Sequence, residues 1–154
     1  MISIALIHPM LVHFPIVLLI TAVTADIIML LTKKELANRQ CLPMIALGAL
    51  LLGTVAAGIA AIFGDIASDK AISLGYPSGP IEIHETLALI TIAVFGLYCL
   101  MRLLVLWRGY PLRGSHGWIA LIPEMVGVVL LIFTAYYGGE LVYHFGVNVA
   151  ATSL

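Results

Sequence analysis

Charge is scarce in this chain. Asp, Glu, Lys and Arg together supply 10% of its 154 residues, against about a quarter in a soluble domain, which leaves too few ionic groups to solvate a globular surface. Cysteine is scarcer still. Cys41 and Cys99 form neither a CxxC nor a CxxCH arrangement, so a disulfide framework and covalent haem attachment are both unsupported, and both thiols are expected to be buried and inert. The net charge is −1 with no basic tract, which offers nucleic acid nothing to bind. No nucleophile and base arrangement, phosphate loop or nucleotide fingerprint occurs, so an electron-transfer or binding role is expected before an enzyme with its own substrate. The first apolar run lacks a basic lead-in and a small-residue cleavage site, and it is expected to be a mature span rather than a leader.

What fills the chain instead is apolar sequence, 62% of all residues. Uninterrupted runs cover roughly 4–32, 41–66, 83–107 and 117–145, each long enough to cross a hydrocarbon core of about 30 Å as a helix. Breaks fall at Thr32–Gln40, Ser68–Pro80 and Trp107–Gly114, rich in Gly, Pro and polar residues. The expected fold is all-α, an integral membrane four-helix up-and-down bundle in one domain spanning 1–154. Lys33, Lys34, Arg39, Arg102, Arg108 and Arg113 cluster at the first and third breaks, with Lys70 in the second. The positive-inside rule then puts those two breaks in the cytoplasm and both termini outside. Asp65, Asp69, Glu82, Glu85 and Glu140 gather at the opposite, external end.

Four of the five histidines, His8, His13, His84 and His144, fall at ends of runs that such a bundle brings to this same external face. Neutral imidazole is the commonest protein ligand for transition metals and haem iron, and ionisable groups at the edge of a bilayer are costly without a role. In HPMLVHFP, Pro9 should keep His8 just ahead of the helix, while Pro15 removes the hydrogen bond to the Leu11 carbonyl and should bend the chain beside His13. The five-residue step from His8 to His13 rotates by about 140° along a straight helix, so the two rings cannot share one metal. The expected axial pair is His13 with His84, with His8 and His144 as a second pair or as supporting donors, giving one or two haem b groups. Asp65, Glu85, Glu140 and Tyr143 are candidates to support these ligands. The same set also suits copper, zinc or non-haem iron. His116 is expected to be a solvated loop residue.

Span two carries small residues at four-residue spacing, Ala49, Gly53, Ala57, Ala61 and Ala56, Ala60, Gly64. They serve close helix packing or leave a slot for a flat macrocycle. Asp26 and Glu124 lie inside apolar runs; they either reach the nearby interface or mark a proton path or quinone pocket. Trp107, Tyr110, Trp118, Tyr136, Tyr137 and Tyr143 read as interfacial aromatic belts. No sequence repeat is evident.

The HPMLVHFP opening, the histidine starting span three and the closing GGELVYHFGV together resemble the bacterial membrane family catalogued as domain of unknown function 2231, over nearly the whole chain. Its pattern of an HPxxVHFP-like start, an aspartate after a glycine ending span two, a histidine opening span three and a Tyr-x-His-Gly-Val-like close is matched here by His8 and His13, Gly64 and Asp65, His84, and Tyr143, His144, Gly146 and Val147. Phe145 stands between His144 and Gly146, and the intervening basic residue is missing. The resemblance implies four spans in a bacterial inner membrane and draws attention to the histidines without implying a reaction.

The expected function is a membrane-bound b-type cytochrome, embedded in the lipid bilayer, holding haem near the periplasmic face and exchanging electrons with a c-type cytochrome or with respiratory-complex subunits; quinone is a further candidate partner. Haem propionates there would face water or meet Ser, Tyr and Asn donors, because Lys70 is the one basic residue at that end. The alternatives are a non-haem metal-binding membrane protein and an accessory structural subunit.

Overall fold

A computed structural model describes residues 7–149, which form helices and turns with no strand; residues 4–6 of the expected first span lie outside the described residues. Helix α1 (Ile7–Leu11) and α2 (His13–Leu31) make up the first span, followed by α3 (Cys41–Ser73), α4 (Ser78–Arg108) and α5 (Gly114–Tyr143). The four spans are 25 to 33 residues long and apolar enough to cross a membrane. Helix is the outcome expected of such sequence in lipid, where every backbone N–H and C=O must be satisfied inside its own segment. His8 is part of α1 rather than ahead of it. The break at Val12 sits beside the Leu11 carbonyl that Pro15 cannot satisfy.

The expected second break is shorter than its sequence suggests. α3 continues through Ser68–Ser73, and only the four residues 74–77, which include Gly75 at φ +90° and Pro77, separate it from α4. Six further helical residues cost nothing where Ser, Asp and Lys can reach water. Gly109, left-handed at φ +66°, ends α4.

Each helix packs on its chain neighbours, and α2 also packs on α5, so α2 faces α4 and α3 faces α5 across the bundle centre. This arrangement is a structural duplication in which the second helix pair repeats the first. Adding 76 carries α1 and α2 onto α4, and adding 74 carries α3 onto α5. Under those shifts the buried positions Leu19, Ala22, Val23 and Asp26 of α2 become Phe95, Tyr98, Cys99 and Arg102 of α4, all buried. Likewise Pro43, Leu47, Leu50, Gly53 and Ala67 of α3 become Gly117, Leu121, Glu124, Gly127 and Leu141 of α5, again all buried. The chain is therefore two helix-pair repeats around a pseudo-two-fold axis.

The close contacts repeat too. A Cβ on Gly53 would lie 2.9 Å from the Leu19 side chain, and one on Gly127 would lie 2.8 Å from the Phe95 ring. The small residues of span two thus act in helix packing, as close approach in lipid requires. Leu19, Leu47, Leu50, Phe95, Tyr98 and Cys99 share the central core.

Arg102 and Asp26, equivalent residues of the two repeats, form a salt bridge across the bundle. Arg102 is thus an interior residue, not one of the connection cations among which its sequence position places it, and Asp26 and Glu124, at 1% and 0% exposure, do not reach the interface. Cys99 is buried as expected, whereas Cys41, at the first turn of α3, is exposed. Trp107, Tyr110, Trp118, Tyr136 and Tyr143 are exposed, as belt residues should be.

Gly127→Ala is expected to destabilise the bundle by about 1–3 kcal/mol, because three atoms of the fully buried Phe95 ring occupy the space. Gly48→Ala, with nothing within 4 Å, should leave the thermal midpoint in detergent unchanged.

Candidate metal centre

The repeat brings two histidines to the axis. His8 in α1 and His84 in α4 are equivalent positions, and their ring centroids lie 6.1 Å apart with planes crossed at 82°. Each ring is anchored the same way. His8 Nδ1 donates to the Ala60 carbonyl at 2.7 Å, and His84 Nδ1 donates to the Thr134 carbonyl at 3.0 Å. A carbonyl can only accept, so each Nδ1 carries a proton, and a neutral ring held in this way presents its Nε2 lone pair. Neither Nε2 has a hydrogen-bond partner among the described residues.

One helical turn beyond each accepting carbonyl stands a glycine, Gly64 after Ala60 and Gly138 after Thr134. A Cβ at either would fall 3.0 Å from the corresponding imidazole, so the absent side chain is what lets the ring come close enough to the neighbouring helix to reach that carbonyl. Beneath His84, the Thr134 and Thr91 hydroxyls are 3.0 Å apart. On the His8 side the equivalent positions are Ala60 and Pro15. Anchoring a ring nitrogen to a backbone carbonyl fixes its tautomer and orientation, the usual support for a metal-binding imidazole.

The ring facing His84 is that of His8, not His13. His8 and His84 occupy matching places in their repeats, and His13, on the other side of its helix, is exposed. His144 does not join His8 either; it is exposed and packs edge-on against Phe145 at 4.8 Å. The segment after α5 turns back so that Val147 is buried with Ala71, Ile81 and Leu141, and Tyr76 Oη donates to the Gly146 carbonyl at 3.1 Å. This return path carries His144 outward. One histidine pair is therefore assembled rather than two. Among the supporting candidates Asp65 is exposed, Tyr143 is 92% exposed and Glu140 is half-buried. Glu85, beside His84, keeps Oε1 buried with no hydrogen-bond partner. His116 is exposed, edge-on to Tyr110. No group of three or more His, Cys, Asp or Glu able to hold a metal ion is assembled among the described residues.

Sequence reasoning missed His8 as the partner of His84, and also the Ala60, Gly64, Thr134 and Gly138 cradles. The available signal was spacing. Asp26 follows His8 by eighteen residues and Arg102 follows His84 by eighteen, five full helical turns in each case.

Nitrogen-15 spectra of histidine-labelled protein in nanodiscs are expected to show two rings fixed as the Nδ1–H tautomer, with His8→Ala and His84→Ala each removing one. Rings protonated on Nε2 would contradict the anchoring geometry.

No curated protein and no solved structure matches the chain. The family model described as predicted membrane protein, DUF2231, matches residues 5–151, and the chain belongs to that family.

Proposed function

We propose that this protein is a membrane electron carrier of the b-type cytochrome class, in which His8 and His84 would hold one haem between the two repeats. The observation that carries this reading is the ring separation. Two imidazoles bound through Nε2 on opposite sides of one ion, with metal–nitrogen bonds of about 2.0–2.1 Å, have centroids roughly 6.3 Å apart, whereas neighbouring corners of a tetrahedral site bring them to roughly 5.1 Å. The observed 6.1 Å fits the first. Two protein donors also suit a group that brings its own equatorial nitrogens better than a site built wholly from side chains.

Bound there, haem iron supplies a one-electron couple. The chain's own contribution is to hold both Nε2 lone pairs ready by tying each Nδ1–H to a carbonyl, which also raises the basicity of the rings as ligands. Thr91 and Thr134 stiffen one side of the pair. Lys33, Lys34, Arg39, Arg108 and Arg113 at the far connections orient the histidine end outward, to the periplasmic side of a bacterial inner membrane. Asp65, Asp69 and Glu82, all exposed at the histidine end, form an acidic rim suited to a basic redox partner such as a c-type cytochrome.

Purified protein from haem-replete cells is expected to show a Soret band and a low-spin bis-imidazole reduced spectrum. His8→Ala or His84→Ala should abolish that spectrum, while His13→Ala and His144→Ala leave it intact. Colourless protein without bound iron, or equal loss on changing His13, would refute the assignment.

A further inference from the structure

At the other end of the bundle, about 27 Å from the histidines by helical rise, lies a second buried polar group. Asp26, Tyr98, Arg102 and Glu124 are each at most 2% exposed. Arg102 Nη1 donates to Asp26 Oδ2 and to Tyr98 Oη, the latter at 3.0 Å; Tyr98 Oη donates to Asp26 Oδ2 at 3.2 Å; Arg102 Nη2 donates to the Leu36 carbonyl at 2.7 Å. These contacts leave four atoms unpartnered: Asp26 Oδ1, both oxygens of Glu124, and Arg102 Nε. Three of these are acceptors, and Arg102 Nε is the one donor atom among them. Glu124 is carried by α5, which packs on α2, the helix of Asp26.

Charge counting gives the same imbalance. One guanidinium offsets one carboxylate, and a second bare carboxylate in this interior has no counter-charge of its own and no hydrogen bond to either oxygen. The groups packed around it do not repair this. α4 brings Tyr98, the Cys99 thiol and Arg102, α2 brings Asp26, the connection after α2 brings the Leu36 carbonyl, and the buried residues of α3 are all apolar. A proton on one carboxyl removes the extra charge and turns an acceptor into the missing donor.

We propose that Asp26 and Glu124 hold one exchangeable proton between them, making this cluster a buried proton-binding site at the end of the bundle opposite the histidines. The site belongs to one repeat only, since the place of Glu124 is taken by Leu50 in the other. It depends on no metal at the histidine end.

Infrared spectra of the full chain in nanodiscs at neutral pH, recorded in H2O and D2O, test it. A carboxylic acid C=O stretching band that shifts on deuterium exchange is expected. Glu124→Gln and Glu124→Leu should both remove the band, and the second installs the residue the fold already accommodates at Leu50. Asp26→Asn should remove it as well, because Glu124 then becomes the sole partner of Arg102. The double change His8→Ala, His84→Ala should leave it in place, which separates this proposal from the reading of the histidine pair. Absence of an exchangeable carboxylic acid band from the unmodified protein, or a band that survives Glu124→Leu, would overturn the proposal.

Discussion

The contact between Asp26 and Arg102 governs how the two halves of this bundle meet. Between apolar helices in lipid there is little to choose between one axial register and another, because lipid tails solvate leucine as well as a neighbouring helix does. An ion pair is different. Both partners sit in the interior, and sliding α2 against α4 by one turn leaves two charges stranded in a medium that cannot solvate them. Since Asp26 lies five whole turns from His8, and Arg102 five whole turns from His84, closing the ion pair also brings the two histidines to the same depth on the same line. Register at one end is thereby transmitted to the other along the continuous α4 and, in the first span, along α2 and α1 across the break at Val12.

Glycine sets the approach within each repeat. Gly53 and Gly64 are eleven residues apart on α3, as are Gly127 and Gly138 on α5. The inner member of each pair admits a large side chain, Leu19 or Phe95, and the outer member admits an imidazole. The same notch that brings the helices close near the core therefore recurs as a seat for a histidine near the end. The His8 and His84 rings are held in the same way because each donates to a carbonyl beside a glycine notch, two constraints that leave little rotational freedom.

Hydropathy and turn residues were sufficient to read the four spans, their order and the gathering of histidines at one end, because those features depend on local composition. Which histidines meet was not available from composition. His13 draws attention because Pro15 should bend the chain near it, yet it is exposed, and the ring opposite His84 is that of His8. The deciding information was the repeated eighteen-residue interval from histidine to charge, which acquires meaning only when α2 and α4 are known to oppose each other. The duplication itself stayed hidden because the two halves differ at many core positions, such as Leu19 and Phe95 or Ala22 and Tyr98, while the features they share, a histidine and two glycines at fixed intervals, lie far apart in the chain. The interior place of Arg102 was obscured for another reason: a basic residue a short way before a basic connection reads as part of it.

Where the repeats agree and where they differ divides the bundle into two working ends. Near the histidines they agree: ring, carbonyl and glycine are matched across the axis, and a two-fold arrangement of donors is what a single shared ion or planar cofactor can use from both faces at once. Towards the arginine they diverge, with Asp26 opposite Arg102, Ala22 opposite Tyr98 and Leu50 opposite Glu124. Two identical charges at equivalent positions would repel across the axis, so a duplicated bundle can place a stable ionic contact there only by breaking its own symmetry. Divergence at this level fixes the pairing of the halves, and that fixed pairing is what allows the histidine end to remain symmetric.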